Sequence, residues 1–180
     1  MYNIKLSISI FSLVAILAAC NQTQENKEIP ASDSLVTVSA VAVAVELRDT
    51  TINQAYKCYE DLKNVLVTSN ASQARTAASE LAIALRKVKG SENTAVLADK
   101  IAASTDLSEQ RTTFTALSND VITLFKQSEI SSGSIYVQYC PMANEGEGGY
   151  WLSSQEEIMN PYYGDEMLHC GEVKETIAKK

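Results

Sequence analysis

The chain has 180 residues, of which 46% are hydrophobic and 21% charged, and its formal net charge is −7. With seven glycines and three prolines, this is the composition of one globular domain, and it excludes collagen-like and broadly disordered chains. The negative charge argues against nucleic-acid binding, because phosphate recognition needs a basic surface. It also argues against a polybasic membrane-binding patch, so any membrane attachment requires a dedicated segment.

The first twenty residues have the features of such a segment. Lys5 is followed by residues 6–19 without a charge, and the run ends in Leu-Ala-Ala-Cys20. This run is too short for a comfortable transmembrane helix and ends in the small residues that signal peptidases require. The cysteine resembles the acylated Cys of the bacterial lipobox, which predicts a lipid on Cys20 that attaches the chain to a membrane outside the cytoplasm. The alternative is an ordinary signal peptide or anchor with an incidental cysteine.

The next residues predict a tether in front of the folded domain. Asn21–Ser34 is polar, contains a proline and shows no hydrophobic period, which is typical of a solvated linker. Leu35–Val45 alternates small and β-branched residues, and either a strand or the entry to a helix fits that pattern. We therefore expect a signal peptide over 1–19, the lipidated Cys with its tether over 20–43, and one folded domain over 44–180.

The middle of the chain shows the hydrophobic period of α-helices. Asn70 and Asp106 stand at the capping positions of two segments, and Phe114 and Leu117 lie on the apolar face of the last. Short connections favour antiparallel neighbours, so we predict a mainly α fold, an up-down bundle of about four helices. The segments run from about Val45 to Val67, from Asn70 to Gly90, from Thr94 to Ser104 and from Asp106 to Leu124.

After the helical segments the composition changes abruptly, and we call residues 133–172 the C-terminal module. The stretch 132–171 holds six of the seven glycines, five of the eight tyrosines, the only tryptophan and the only histidine. No Lys or Arg occurs between Lys126 and Lys174, whereas eight acidic residues do. Aromatic and sulfur side chains are thus gathered in an anionic stretch that lacks a helical pattern.

Short strands and tight turns are predicted in the C-terminal module. Ile135–Tyr139 and Tyr150–Leu152 have the composition of strands, and the Gly-rich segment between them predicts a β-hairpin. Asn160-Pro161 and Gly164 mark a second turn. We expect the aromatic side chains to pack the module onto the bundle, with their polar tips reaching partners. These side chains are Trp151, Tyr162 and Tyr163.

The motifs that carry a family resemblance are Tyr136–Ala143, Trp151–Ser153, Ile158–Leu168, Cys170-Gly171 and, on the last helix, Arg111, Phe114 and Leu117-Ser118. They resemble the bacterial family known as domain of unknown function 3347, and the resemblance covers about Val45 to Ile177. That family is common among envelope lipoproteins of Bacteroidetes, and it occurs fused to, or encoded beside, periplasmic adaptors of heavy-metal efflux pumps. The resemblance implies a cell-envelope protein, periplasmic or at the outer membrane, that handles copper or a similar soft metal with such an adaptor or another envelope protein.

One piece of the module is also similar to a metal-binding element of those adaptors. Cys140-Pro-Met142 matches the start of their short Cys-Pro-Met-His-Pro sequence. Ala143 replaces the histidine here, which removes one imidazole ligand from the comparison.

The sulfur and imidazole side chains of the module form a candidate Cu(I) site. Cu(I) suits thiolate, thioether and imidazole ligands and accepts two to four of them in irregular geometry. We expect Cys140 and Met142 on one turn to meet Met167, Cys170 and, as an auxiliary ligand, His169 on another. Zn(II) is less favoured, because thioethers are poor zinc ligands.

The same two cysteines support a second interpretation. Cys140 and Cys170 form a disulfide if the compartment is oxidising, since small loop-rich modules are often stabilised in that way. The cysteine count does not separate the two interpretations, and redox chemistry lets them alternate. Taken singly, Met142, Met159 and Met167 each fit a core position better than a ligand position, because a lone buried methionine usually fills the core. If Cys140 and Cys170 form a disulfide, the chain is predicted to be a structural or protein-interaction lipoprotein.

Catalysis finds little support in the sequence. One histidine next to a cysteine does not make a catalytic dyad, because the two side chains must face each other in space. P-loop, dinucleotide-binding, haem-attachment and zinc-protease patterns do not occur. We therefore predict that the chain is not an enzyme.

Overall fold

The computed structural model describes residues 44–179, so the predicted signal peptide, Cys20 and the tether lie outside the described residues. Four helices are followed by a region of short strands and single-turn 3-10 helices. The helices are α1 (Thr50–Val67), α2 (Ala71–Leu85), α3 (Glu92–Ala103) and α4 (Leu107–Lys126). The strands are β1 (Glu46–Leu47), β2 (Ile130–Ser132), β3 (Ser134–Cys140), β4 (Gly149–Ser153) and β5 (Glu172–Ala178).

Polar caps fix where three of the helices begin. The side chain of Asp49 accepts hydrogen bonds from the backbone N–H groups of Thr51 and Ile52, at 2.8 and 3.0 Å. Helix α1 consequently begins at Thr50, later than the predicted Val45, because strand β1 occupies the residues before the cap. Asn70 and Asp106 cap α2 and α4 as predicted.

The ends of the second and third helices differ slightly from the predicted ones. Helix α2 ends at Leu85, and a series of turns leads from there to Gly90, whose φ of +84° suits glycine. Helix α3 begins at Glu92 rather than Thr94. Apolar spacing locates a helix well, whereas its last turn depends on local hydrogen bonds.

The helices pack around a core that contains a cluster of aromatic rings. The ring of Tyr59 stacks on that of Phe114 at 5.5 Å between centroids, and Tyr56 meets Phe125 edge-on at 5.2 Å. Phe114 and Leu117 are both fully buried, as their spacing predicts. The prediction of a mainly α helical bundle is confirmed. Within residues 44–179, none of the helices is long and apolar enough to cross a lipid bilayer.

A buried glutamine closes the end of α3. The side-chain Nε2 of Gln110 donates to the carbonyl oxygens of Ala71, Ile101 and Ser104, at 3.0, 3.4 and 2.8 Å. Two of these carbonyls belong to the last turn of α3 and its cap, where the helix itself supplies no donors. One polar side chain of α4 thus ties two neighbouring helices together.

Strands β3 and β4 of the C-terminal module form a three-stranded antiparallel sheet, of order β4-β3-β5, with strand β5, which follows the module. The predicted hairpin is present, since β3 pairs with β4 from Tyr136 opposite Ser153 to Cys140 opposite Gly149. Strand β5 was not predicted; it covers the other edge of β3 from Ser134 to Tyr139. Most side chains of β5 are exposed, so its sequence lacks the alternation that identifies a half-buried strand.

Candidate functional site

Contacts between aromatic rings join the C-terminal module to the bundle. Trp151 is fully buried and meets the ring of Tyr162 edge-on at 6.0 Å, and Tyr162 lies 5.8 Å from Phe114 of α4. The hydroxyl groups of Tyr162 and Tyr163 donate to the carbonyl oxygens of Tyr150 and Met142, as expected. Trp151 differs from the expectation, because its Nε1 has no hydrogen-bond partner among residues 44–179. Packing alone therefore holds the indole.

The strand pairing of the module brings the two cysteines together. Cys140 is the last residue of β3, and Cys170 lies just before β5, which pairs with β3. Their Sγ atoms are 3.0 Å apart. The Cys140 side chain is fully buried, whereas Cys170 is partly exposed. We call these two side chains the thiol pair; the pair can be reached from solvent through Cys170.

A buried asparagine holds the loop that carries Cys170. The Nδ2 of Asn160 donates to the carbonyl oxygen of Cys170, and its Oδ1 accepts from the backbone N–H of Tyr162, both at 2.8 Å. Its backbone N–H donates to the carbonyl of Leu168, also at 2.8 Å. Asn160 is completely buried. The sequence indicated only a turn here, because the hydrogen bonds of a buried amide depend on segments that meet after folding.

An arginine of α4 connects this loop to the bundle. Arg111 donates from Nε to the carbonyl of Pro161 at 2.9 Å, and from Nη2 to Leu66 and Ser69 at 3.1 and 2.9 Å. Gly164 lies against the same helix end with φ of +58°, and a Cβ there would stand 2.4 Å from the Ser69 hydroxyl. Pro161 and Gly164 therefore have the structural role expected of the second turn.

The contact between the cysteines changes the acid–base chemistry of Cys170. The pKa of the Cys170 thiol is raised, chiefly by its hydrogen bond with Cys140 and further by burial and by the charge of Cys140. A raised pKa keeps this thiol protonated at neutral pH. Because the thiolate is the metal ligand and the nucleophile, either reaction of the pair must first release a proton.

The other predicted ligands are more exposed than Cys140. Met142 is 52% exposed, Met167 is half-buried and His169 is exposed. The Nδ1 of His169 is 2.9 Å from the carbonyl oxygen of Ile158, which leaves Nε2 as the free nitrogen. In the described part of the chain, no group of three or more His, Cys, Asp or Glu side chains is arranged to hold a metal ion.

The donor set of the thiol pair fits a soft ion that needs few ligands. An ion bound by two thiolates at about 2.3 Å from each sulfur requires the sulfurs to lie roughly 3.8–4.6 Å apart. The observed separation of 3.0 Å is shorter, so the pair must open by about 1 Å to hold the ion between its sulfurs. Cu(I) tolerates such a low coordination number, whereas Zn(II) needs four ligands in structural sites.

The surface around the module is acidic but not entirely without cations. Its glutamates at 145, 147, 156 and 157 are exposed. Lys174 pairs with Glu172 at 2.5 Å and lies 5.4 Å from the centroid of the Tyr139 ring. Because the module itself lacks Lys and Arg, its carboxylates raise the local concentration of cations.

Comparison with known protein families adds one match. Residues 55–133 match the model of a family described as "Protein of unknown function (DUF3347)". The matched segment extends from within α1 to just after β2, so the similarity to this family covers most of the helical part of the chain. The C-terminal motifs that suggested the same family lie outside the matched residues. None of the curated proteins and none of the solved structures compared with the chain matches it.

Proposed function

We propose that this chain is a non-enzymatic lipoprotein of the cell envelope that binds one soft metal ion, Cu(I), in periplasmic metal handling or efflux. The observation that carries the proposal is the approach of the Cys140 and Cys170 sulfur atoms to 3.0 Å. Two thiols at this separation become two thiolate ligands for one ion after a small opening. The resemblance to a family found beside heavy-metal efflux adaptors supports copper and suggests an adaptor or another envelope protein as partner.

The surroundings of the thiol pair support metal entry from one side. Cys140 is buried in the module, and Cys170 connects it to the surface. The exposed thioether of Met142 and the free Nε2 of His169 are available as additional ligands, and so is the half-buried Met167, after local movement. Exposed carboxylates attract cations without competing for a soft ion.

The proposal is tested by titrating the reduced full chain, solubilised in detergent, with Cu(I) against a calibrated Cu(I) chelator. We expect one Cu(I) per chain. Cys140→Ala and Cys170→Ala should each lose more than the roughly 10–100-fold that removal of an outer-shell partner costs, because a charged ligand is lost. Met142→Ala should lose much less, because a thioether carries no charge.

Cys58 supplies the matched control for that titration. It is a buried cysteine of α1, so Cys58→Ala removes a thiol without touching the pair. Its Cu(I) affinity should equal that of the unchanged chain. If the reduced chain does not compete with the chelator at all, the copper proposal is wrong.

A second function is favoured by the same short distance. At 3.0 Å the sulfurs are closer than a shared ion requires, which favours a Cys140–Cys170 disulfide in a structural or protein-interaction lipoprotein. Such a bond closes a loop between residues 30 positions apart, worth about 3–4 kcal/mol in the chain-entropy model. A large rise in melting temperature on oxidation, together with absence of Cu(I) binding after reduction, would favour this function. Binding that occurs only in the reduced chain would indicate a redox-gated copper protein.

Membrane attachment is tested separately from metal binding. We propose that Cys20 is acylated and anchors the chain to a membrane of the envelope. Cells grown with a labelled fatty acid should incorporate the label into the unchanged chain and not into Cys20→Ser. An unlabelled unchanged chain would contradict the anchor and leave the thiol-pair proposal unaffected.

A further inference from the structure

The side chain of Asn160 links two parts of the connection between β4 and β5, the turn at Tyr162 and the segment that carries Cys170. It is completely buried, and each end of its carboxamide makes one hydrogen bond of 2.8 Å. The Nδ2 end holds the carbonyl of Cys170, and the Oδ1 end holds the N–H of Tyr162. One planar group therefore holds the Cys170 segment next to the turn at Tyr162 that packs on the bundle.

Other hydrogen bonds within the connection between β4 and β5 hold the same segments together. The backbone N–H of Asn160 donates to Leu168, and the N–H of Cys170 donates to Met167 at 3.0 Å. The imidazole of His169 contacts the carbonyl of Ile158. Among these bonds, the one from the Nδ2 of Asn160 is the bond that a side chain makes directly to the backbone of Cys170. Its loss would leave the Cys170 carbonyl without this donor, while the backbone bond from the Cys170 N–H to Met167 remains.

We propose that Asn160 is a positioning residue of the thiol pair. Cys140 is fixed as the last residue of β3, so the separation of the sulfurs depends on where the loop places Cys170. By holding the Cys170 carbonyl, Asn160 keeps one thiol at high effective concentration near the other. The inference deepens the proposed function, because it names the residue that prepares the same site. It rests on that function only in taking the thiol pair as the site.

The effective concentration of one thiol near the other can be measured by thiol–disulfide exchange. A thiolate of the pair attacks glutathione disulfide and releases one glutathione; the second thiolate then attacks the mixed disulfide and releases another. Two protons leave the pair, and glutathione disulfide is reduced to two glutathione molecules. The equilibrium constant of this reaction reports how closely Cys170 is held to Cys140.

Asn160→Asp replaces one atom of the carboxamide group that makes these two hydrogen bonds. The Oδ1 that accepts from Tyr162 remains, whereas an acceptor oxygen replaces the Nδ2 that donates to Cys170. We expect the equilibrium constant for the Cys140–Cys170 disulfide to fall by about tenfold or more, because two acceptors then face each other. Asn144→Asp is the matched control, since its Nδ2 donates to the Gly148 carbonyl at 2.9 Å in the same module. That variant should change the constant by less than about twofold.

The comparison of the two variants separates positioning from general loss of structure. An equal fall in both, or an unchanged constant in Asn160→Asp, would overturn the proposal. If Asn160→Asp does not fold, Asn160→Ala removes the donor without adding a charge and should show the same fall. Amide hydrogen exchange of the unchanged reduced chain tests the idea without substitution: residues 168–172 should be protected, and exchange as fast as in a free peptide would contradict it.

The experiment also distinguishes this inference from the proposed function. The exchange equilibrium with glutathione needs no metal, so it tests Asn160 even if the reduced chain binds no Cu(I). If the unchanged chain does bind Cu(I), Asn160→Asp should weaken that binding more than Asn144→Asp does. A normal Cu(I) titration with an unaltered exchange constant in Asn160→Asp would remove Asn160 from the site and leave the metal proposal intact.

Discussion

The helical bundle and the C-terminal module are stabilised by different means. The interior faces of the helices are lined mainly by apolar side chains, such as Leu62, Leu81 and Ile101, all fully buried. The module buries polar side chains as well, among them Asn160 and Gln138. Apolar packing is strong but non-directional, whereas hydrogen bonds fix orientation. Apolar packing dominates the interior of the bundle, whereas buried side-chain hydrogen bonds fix the positions of the irregular segments of the module.

Gln138 illustrates the directional character of the module. Its Nε2 donates to the carbonyl oxygens of three successive residues, Gln155 to Glu157, at 2.9, 3.1 and 3.2 Å. The side chain is fully buried in the central strand β3. It fixes the first part of the connection between β4 and β5 through these hydrogen bonds, as Asn160 fixes the last part. Both residues organise chain segments that have no regular secondary structure.

Truncation at the junction of the two regions should have the largest effect. Phe114→Ala removes a ring that contacts both Tyr59 of α1 and Tyr162 of the module, and Leu117→Ala opens the same buried face. We expect each change to lower the free energy of unfolding by about 2–5 kcal/mol, measured by chemical denaturation. Ile83→Ala, at a position that is 57% exposed, serves as the control and should have little effect. A change near zero at both buried positions would contradict the packing.

The next largest effect is expected from loss of the arginine connection. Arg111→Met retains the length of the side chain but removes its donors to Pro161, Leu66 and Ser69. We expect a loss of about 2–3 kcal/mol, because carbonyl oxygens lose a charged donor. Amide exchange should accelerate more in residues 158–170 than in α2. Arg86→Met removes an exposed ion pair with Asp99 and should cost less than about 1 kcal/mol. Equal losses in the two variants would show that Arg111 does not join the regions.

A smaller effect is expected at the helix caps, which act within the bundle alone. Asp106→Ala removes the side-chain acceptor for the N–H groups of Ser108 and Glu109 at the start of α4. The expected cost is about 1 kcal/mol in the free energy of unfolding. Ser91→Ala is the control, since the Ser91 side chain makes no capping bond within the described structure. If Ser91→Ala costs as much, capping is not the cause.

The smallest effect is confined to one thiol and concerns its titration. The pKa of Cys170 is raised chiefly by its hydrogen bond with Cys140. Cys140→Ala removes that cause, so the pH at which Cys170 becomes reactive toward iodoacetamide should move down. The rate of alkylation, followed by mass spectrometry across pH, measures the shift. In the unchanged chain the affinity for Cu(I) should rise with pH, because protons compete with the metal ion for the Cys170 sulfur up to the raised pKa of that thiol. An unchanged midpoint in Cys140→Ala would mean that the thiols do not interact in solution.

The sequence allows prediction of the bundle better than of the strands around it. The 3.6-residue period of each helix follows from one apolar face, and capping residues such as Asn70 can be recognised locally. Strand β1 has two residues and shows no period, so its sequence favoured a longer first helix. Strand β5 is held by backbone pairing to β3, while charged side chains such as Lys174 point to solvent. Backbone pairing without a buried face leaves little trace in the sequence.

The proximity of the two cysteines could be predicted from the sequence, whereas the orientation of the side chains around them could not. The meeting of the Cys140 turn with the Cys170 turn was expected, and the two thiols lie in contact. The exposure of Met142 was not expected, because a sulfur two residues from a cysteine in the sequence need not share its direction. Asn160 was recognised as part of a turn, whereas its bond to Cys170 depends on how distant segments meet. A local sequence pattern identifies a reactive side chain, but the direction of that side chain depends on contacts between distant segments.

The chain enters and leaves the described domain at almost the same place. The carbonyl of Ala44 accepts a hydrogen bond from the Ser132 hydroxyl, and Ala178 pairs with Ser134, two residues further along. The thiol pair lies at the opposite end of β3, about 20 Å away along the strand. The sulfurs of the thiol pair therefore lie at the end of the sheet that is remote from both ends of the described domain. The neighbouring termini also make the domain suited to circular permutation, in which a short linker joins the old ends and new ones are opened elsewhere.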